Sequence, residues 1–302
     1  MAISISPITE SFAAEVADLD LNQPLSDEEF ALIEEAFDKY SVLVFCGQEL
    51  SDQSQIDFSA RFGPLETTVA VLRKDPKLRL RPDMADVSNL DEHDRPLNAD
   101  SKRRAYNLGN QLWHTDSSFK KLPAKASLLY ARSIPPFGGH TEFADLRAAY
   151  DALPDDMKAR LEGLVAEHCI LYSRAKIGFT AFDDGEVAGQ PPVPQVIVRT
   201  HAGSGRRTLY LASHADRIYG MDQDEARRLL KQLIDHATQR QFVYTHRWRV
   251  GDLVMWDNRC TMHRGRPFDD LRFRRDVRRT TVSDVAPTCE QEGNRLSSIA
   301  AE

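Results

Sequence analysis

The chain has 302 residues, of which 41% are hydrophobic and 28% are charged, as in an ordinary globular protein with a sizeable core. Its formal net charge of −7 argues against general nucleic-acid binding, and no apolar run reaches the roughly 18 residues of a membrane span. The N-terminal residues lack the basic start and apolar core of a signal peptide, so we expect a cytoplasmic location without membrane association. The four cysteines form no CxxC pair, which disfavours a structural zinc site.

The N-terminal part predicts two helices around a buried strand. Ser26 and Glu29 form a capping-box pattern ahead of apolar residues at helical spacing. SVLVF at 41–45 predicts a buried strand, and 51–62 predicts a second helix. Residues 64–108 are rich in Asp, Arg, Pro and Lys with little periodicity, so we expect a mobile lid there.

The remaining chain predicts short strands with helices inserted between them. The predicted helices are 145–153, 155–167 and 222–239. The predicted strands are 128–134, 193–200, 207–213, 241–250, 252–258 and 274–282. Regular βαβ alternation and a glycine-rich phosphate loop are both missing, so the pattern favours a mainly β fold with flanking helices, a sandwich or jelly roll. We expect a single domain over 1–285 and a loose polar tail over 286–302.

Two histidines and one aspartate are the candidate metal ligands. His114 and Asp116 are two residues apart and would share a face of a strand, although such a pair alone is more often a surface feature. His263 follows an apolar strand, 147 residues beyond Asp116. Two imidazoles and one carboxylate form the facial triad that leaves positions open on iron(II), whereas zinc prefers a closed tetrahedron.

Seven arginines between 264 and 279 are the candidate anion-binding residues of this acidic chain. Arg274 lies eleven residues after His263, and Arg278 lies four further on. On a strand both would point to one face and could enter one cavity, where a guanidinium can clasp a carboxylate through two hydrogen bonds. Surface ion pairs are the alternative interpretation.

Long motifs resemble those of one enzyme family. They are SVLVFCGQ, FGPLE, NQLWHTDSSF, PPFGGHTEFADLRAAYDALP, RTHAGSGR, HATQRQFVYTHRW and VGDLVMWDNRC. From residue 8 to 284 the chain is similar to the TauD/TfdA iron(II)/2-oxoglutarate dioxygenases. Val71 departs from the resemblance, because it stands where the most similar members carry a lysine beside the substrate.

The resemblance implies a double-stranded β-helix and a role for each matched residue. His114, Asp116 and His263 would hold iron. Thr141 and Arg274 would hold the far carboxylate of 2-oxoglutarate. Arg278 and His201 would contact the substrate, although a satisfied turn histidine explains His201 equally well. We interpret the other histidines as structural: His93, His140, His168, His214, His236 and His246.

The implied reaction uses Fe(II), 2-oxoglutarate and O2 to hydroxylate a small carboxylate substrate. With an aryloxyacetate such as 2,4-dichlorophenoxyacetate, the products would be a phenol and glyoxylate, together with succinate and CO2. A taurine or alkylsulfonate dioxygenase is one alternative, because an arginine serves a sulfonate as readily. A non-catalytic metal-binding sensor of organic acids is another, and a zinc hydrolase is disfavoured because no third histidine stands at a fixed spacing. We expect a homo-oligomer.

Overall fold

The computed structural model describes residues 3–76 and 78–294. Its strands are β1 Ser4–Pro7, β2 Ala13–Ala17, β3 Val42–Phe45, β4 Ala85–Asp86, β5 Ala124–Ser133, β6 Thr141–Asp145, β7 Val165–His168, β8 Val193–Val196, β9 Val198–Thr200, β10 Arg207–Leu209, β11 Ala215–Ile218, β12 Val243–His246, β13 Leu253–Asp257, β14 Thr261–Gly265 and β15 Asp276–Ser283. Its helices are α1 Asp27–Tyr40, α2 Asp52–Ala60, α3 Lys102–Asn107, α4 Leu146–Asp151, α5 Asp155–Leu161, α6 Ile170–Ala175, α7 Asp184–Ala188 and α8 Gln223–Ala237. Within the described part of the chain, every helix is too short or too polar to cross a bilayer.

Two facing sheets form the jelly roll. The larger sheet has seven strands in the order β1-β2-β3-β13-β5-β15-β4, and it faces the three-stranded sheet β12-β6-β14. Strands such as β13 are buried on both faces, because helices cover the outer side of the large sheet. Phe37 and Phe58, from α1 and α2, pack there against Tyr130 of β5. Between the two sheets, Phe143 of β6 packs with Trp256 of β13. The predicted mainly β fold with flanking helices is confirmed.

The helix starts follow local signals. The backbone N–H of Glu29 donates to Ser26 Oγ at 3.2 Å, and that of Ser26 donates to Glu29 Oε2 at 2.8 Å, which confirms the predicted capping box. The predicted helix at 155–167 is too long, since α5 ends at Leu161 and β7 begins at Val165. Gly163, with a φ of 76°, makes the turn between them.

Residues 64–108, termed the lid here, have little regular structure but are anchored to the large sheet by ion pairs. Arg79 lies 2.8 Å from Asp86 and 2.7 Å from Asp276 of β15. Arg103 lies 2.7 Å from the same Asp86. The lid therefore sits across the end of the large sheet, and its mobility stays a prediction.

The segment 286–294 is packed, so the prediction of a loose tail from residue 286 is wrong for these residues. Thr288 is buried, accepts the backbone N–H of Val196 at 3.1 Å and donates to Gln195 Oε1 at 2.6 Å. The polar side chains of this segment form hydrogen bonds within the protein. Composition alone cannot distinguish such a packed segment from a loose polar tail. The rest of the predicted tail, 295–302, lies outside the described residues.

Candidate metal centre

His114, Asp116 and His263 meet in space, as predicted. His114 and His263 pair through their backbones, with N···O distances of 3.0 and 2.8 Å, so their rings lie side by side with centroids 4.2 Å apart. Asp116 faces both, at 3.8 Å from His114 Nε2 and 3.7 Å from His263 Nε2. The strand predicted for 114–116 does not form. Instead, His114 forms an isolated β-bridge with His263, and a turn in which Ser117 has a φ of 53° directs the Asp116 carboxylate toward the two histidines.

The protonation states of the three groups fit a divalent metal. His114 Nδ1 donates to the carbonyl oxygen of Leu112 at 2.7 Å, which leaves the lone pair of Nε2 directed at Asp116. Burial lowers the pKa of both His114 and His263, so both imidazoles are neutral, as metal ligation requires. The three ligand atoms lie within 4.8 Å of one another, close enough to share one ion.

Asp116 is fixed by neighbours on the large sheet. Its Oδ2 accepts from Ser127 at 2.8 Å, and its backbone N–H donates to Asn258 Oδ1 at 3.1 Å. The Arg279 guanidinium donates to its Oδ1. Burial alone would raise the pKa of Asp116, but the Arg279 charge and the hydrogen bond from Ser127 hold it well below its usual range. The carboxylate is therefore ionised and oriented in advance.

Two cavities meet at this triad. The strand cavity lies between the two sheets and is lined by Leu129, Thr141, Trp256, His263 and Arg275, among others. The lid cavity lies under the lid and is lined by residues that include Asp116, Phe119, Ile170, Arg174 and His214. His114 and Arg279 line both cavities. Two small molecules could therefore approach one metal from different sides.

The prediction that Arg274 enters the cavity is wrong, and Arg275 lies there instead. Arg274 is exposed, whereas Arg275 is buried and shares the strand cavity with Thr141. Burial lowers the pKa of Arg275 to about 10, and its Nε has no partner among the described residues. Thr141 is placed as predicted, with its hydroxyl oxygen accepting from Trp248 Nε1 at 2.9 Å.

Arg278 also points away from the metal, contrary to the prediction. Its Nη1 binds both carboxylate oxygens of Asp52 on α2, at 2.6 and 2.7 Å, on the helix-covered face of the sheet. The next residue, Arg279, points to the triad. Side chains alternate here, so Arg275 and Arg279 line the cavity and Val277 packs between the sheets, whereas residues 274, 276 and 278 point to the other face.

His201 lies in a separate buried cluster, so its predicted substrate contact is wrong. Its Nε2 lies 2.9 Å from Asp257 Oδ2, and Asp257 is also paired with Arg259 at 2.6 Å. Cys260 is close by, but burial and the Asp257 charge raise the pKa of its thiol to about 12. A protonated thiol and a carboxylate already neutralised by arginine make a poor second metal site.

Sequence reasoning missed Arg174 and His214 on the lid-cavity wall. His214 is buried, its ring lies 5.0 Å from that of Phe119 and 6.0 Å from that of His114, and its Nδ1 bonds to Ser173 Oγ at 2.8 Å. Burial, and then the nearby Arg174 charge, lower the pKa of His214 well below its usual value, so it is neutral. Neither residue has a spacing that links it to the triad in sequence, so no local signal could have found them.

Comparisons of sequence and structure with known proteins agree on one family. Residues 4–281 match the family described as taurine catabolism dioxygenase TauD, TfdA family. The chain is 47% identical to an alpha-ketoglutarate-dependent 2,4-dichlorophenoxyacetate dioxygenase of Cupriavidus pinatubonensis, over 95% of this chain and 99% of that protein. It is 39% identical to an (S)-phenoxypropionate/alpha-ketoglutarate-dioxygenase of Sphingobium herbicidovorans, over 89% of this chain and 91% of that protein. The crystal structure of AAD-2 in complex with Mn(II) and N-oxalylglycine superposes with a TM-score of 0.88 at 48% identity, covering 96% of this chain and 100% of that one.

Proposed function

The chain belongs to the TauD/TfdA family of dioxygenases, and from that premise we propose that it is an Fe(II)- and 2-oxoglutarate-dependent dioxygenase acting on aryloxyacetates or related aryloxyalkanoic acids. The observation that carries the proposal is the buried triad between two cavities, together with Arg275 in the strand cavity, for which the described residues supply no acidic partner. The names of the relatives support the substrate class.

His114, Asp116 and His263 are the residues that would hold iron. Iron(II) bound there supplies the activation of O2, coupled to the oxidation of 2-oxoglutarate to succinate and CO2. The chain contributes two neutral imidazoles and an ionised carboxylate, which Ser127 and Arg279 orient. Because these partners hold the carboxylate before binding, little reorganisation is needed when the metal enters.

The strand cavity suits 2-oxoglutarate. Arg275 is buried among apolar side chains such as Leu129 and Trp256, where an unpaired charge is costly. A carboxylate from the cosubstrate would offset that cost, and the Thr141 hydroxyl can add a hydrogen bond. The opposite end of the cosubstrate would then lie toward His263. Arg275 thus takes the anchoring role that the sequence predicted for Arg274.

The lid cavity suits the organic acid. Phe119 and Ile170 supply apolar walls for an aryl ring, and the neutral His214 closes the side next to His114. A substrate held here places one carbon beside the metal, and positioning decides which C–H bond is oxidised. If the hydroxylated carbon carries the ether oxygen, the hemiacetal loses the aryloxide, which takes up the hydroxyl proton. The products are then a phenol and glyoxylate.

The test is a substrate panel assayed for succinate in the Fe(II)-loaded enzyme. The panel comprises aryloxyacetates, 2-aryloxypropionates and taurine, with phenol and sulfite measured in parallel. We expect succinate and phenol in equal amounts with an aryloxy acid, and neither product without iron. Sulfite from taurine would instead support the sulfonate alternative, and acid binding without succinate would support a sensor. The homo-oligomeric state and the cytoplasmic location remain predictions.

A further inference from the structure

We propose that Asn89 of the lid is a positioning residue for cosubstrate binding, because it holds the backbone of Arg275 so that the guanidinium faces the strand cavity. This inference rests on the proposed function, in which Arg275 anchors 2-oxoglutarate, and it specifies the contact that sets the direction of that anchor. It also makes the lid, which covers the other cavity, part of the cosubstrate site.

Both backbone polar groups of Arg275 bind Asn89. The Arg275 N–H donates to the side-chain oxygen Oδ1 of Asn89 at 2.8 Å, and the Arg275 carbonyl oxygen accepts from the Asn89 N–H at 3.2 Å. In an extended strand the N–H and C=O of one residue point to the same neighbour, and for Arg275 that neighbour is Asn89. The two hydrogen bonds fix the peptide planes on both sides of the Arg275 Cα, and these planes determine where its side chain points.

The neighbouring strands give Arg275 less support. It lies just before β15, and β5 carries one extra residue, Arg132, between its partners for Asp276 and Val277, so the ladder on that side is irregular beside Arg275. On the other side, the pairing of β15 with β4 ends at Arg278. Among the residues that the structure describes, the Arg275 Nε has no partner. The direction of the guanidinium therefore depends on the backbone that Asn89 holds.

The side-chain amide of Asn89 also binds the rim loop, residues 266–273, which comes directly before Arg274 and Arg275. Its Nδ2 donates to the carbonyl oxygens of Asp270 and Phe273 at 2.6 and 2.8 Å. Much of this loop, including Asp270, lines the strand cavity. With one acceptor and two donor contacts, only one orientation of the amide satisfies all three bonds. Asn89 therefore joins the cavity wall to the start of the strand that carries the anchor.

These contacts are shielded from water. Asn89 is 8% exposed and itself lines the strand cavity. Removing its side chain leaves the Arg275 N–H and two carbonyl oxygens of the rim loop without their partner, so the backbone there can move to find others. Hydrogen bonds weaken steeply when their geometry is distorted, so a small shift of Arg275 is enough to weaken its bond to a cosubstrate carboxylate.

The test variant is Asn89→Ala, which removes the three side-chain bonds and keeps every charge. The matched control is Gln48→Ala. Gln48 is also 8% exposed, and its amide makes the same set of bonds: it accepts from the Leu21 N–H at 3.0 Å and donates to the carbonyl oxygens of Leu19 and Cys46, each at 3.2 Å. Both variants should lose similar stability by urea unfolding, but only Asn89→Ala should affect the cosubstrate.

Binding is measured by calorimetry on the Mn(II)-loaded enzyme with 2-oxoglutarate and with 2-oxopentanoate, which has a methyl group in place of the far carboxylate. We expect Asn89→Ala to weaken 2-oxoglutarate binding about tenfold, the lower end of the range for one charged hydrogen bond, and to leave 2-oxopentanoate binding unchanged. Gln48→Ala should match the wild type with both probes. Asn89→Ser should show a smaller loss in the same direction, and it keeps the test available if the alanine variant does not fold.

A double-mutant cycle with Arg275→Leu tests whether Asn89 acts through Arg275. In the Arg275→Leu background, adding Asn89→Ala should not weaken 2-oxoglutarate binding further, since the contact that Asn89 positions is already gone. A further tenfold loss there would overturn the role of Asn89, as would an unchanged 2-oxoglutarate affinity or equal losses for the two probes in the single variant. If Arg275→Leu itself had no effect, the proposed anchor would fail together with this inference. A wild-type enzyme that did not bind 2-oxoglutarate would contradict the proposed function itself.

Discussion

Arg275 and Arg279 point into the protein, whereas Arg274 is exposed and Arg278 binds Asp52 on the opposite face. Each inward residue has an arginine as its direct neighbour, so a single position at the start of β15 separates the proposed cosubstrate anchor Arg275 from the exposed Arg274. This pairing also provides a natural control, because the same substitution can be made at two adjacent sites with opposite expected effects.

We predict that Arg275→Leu raises the 2-oxoglutarate concentration needed for half-maximal succinate formation by about ten- to hundredfold. The reason is the loss of a charged hydrogen bond from a buried site. Arg274→Leu should leave that concentration within about twofold, because an exposed arginine contributes little. Steady-state kinetics on both variants checks this. A large effect of the substitution at Arg274 and none at Arg275 would mean that Arg274, and not Arg275, faces the strand cavity.

At the scale of elements, the lid depends on a small cluster of charges. Burial alone would raise the pKa of Asp86, but hydrogen bonds from Arg79 and the charge of Arg103 lower it from 3.8 to about 2. A carboxyl group whose pKa is lower in the folded protein than in the unfolded chain stabilises the fold. This stabilisation is fully present above the pKa of the unfolded chain, near 4, and is lost as the pH falls through the folded-state pKa of about 2. This lowering of the pKa corresponds to about 2.5 kcal/mol of stability at neutral pH.

Asp86→Asn should therefore lower the free energy of unfolding by about 2.5 kcal/mol at pH 7. The difference from wild type should be constant between pH 7 and about pH 5 and should shrink below about pH 4, where Asp86 of the unfolded wild-type chain takes up its proton while that of the folded protein does not. Urea unfolding of both proteins across this range is the measurement. A difference that stayed the same at pH 3 would show that charge at Asp86 is not the cause.

The segment 286–294 is the second element that can be tested. Thr288 is fully buried, and its hydroxyl accepts from Val196 and donates to Gln195, whose amide in turn donates to the carbonyl of Ser118 at 2.8 Å, just after Asp116. Thr288→Val keeps the shape but leaves two buried polar groups unpaired, so we expect a loss of about 1–3 kcal/mol by urea unfolding. Thr288→Ser keeps the hydroxyl and should lose clearly less. Equal losses would show that the hydrogen bonds of the hydroxyl contribute no more than the packing of the methyl group.

Elements with local signals could be predicted from the sequence, and elements fixed by distant partners could not. The capping pattern at Ser26 and the apolar face of 222–239 each act within one helix, so both helices were predicted within a few residues. The sequence RRDVRR at 274–279, at the start of β15, places one pair of arginines on each face, and the two members of each pair are four residues apart. Periodicity therefore could not choose between the faces, and pairing with β5 decides it, since Arg279 lies opposite Leu129 of the strand cavity.

At the scale of the whole molecule, the candidate site joins parts of the chain that are far apart in sequence. The triad residues His114 and Asp116 come before β5, His263 lies on β14, and Arg279 on β15 ties Asp116 to the large sheet. Their common position was predictable because a family resemblance covers these stretches. Arg174 and His214 were not, since α6 and the loop before β11 reach the lid cavity only through tertiary packing.

A metal bound at this junction should stabilise the entire fold. The unfolded chain does not bring the three ligands together, so metal binding adds about 2.7 kcal/mol when the free metal is a hundred times its dissociation constant. For a chain of this size we expect the melting temperature to rise by about 5 °C or more on adding Mn(II), or Fe(II) without oxygen, and to fall back with a chelator. His263→Ala and His114→Ala should remove the rise, because two ligands cannot replace three, whereas His93→Ala, an exposed lid histidine, should keep it. Thermal unfolding monitored by circular dichroism at several metal concentrations gives the answer. A full metal-dependent rise in the His263→Ala variant would place the metal somewhere other than this triad.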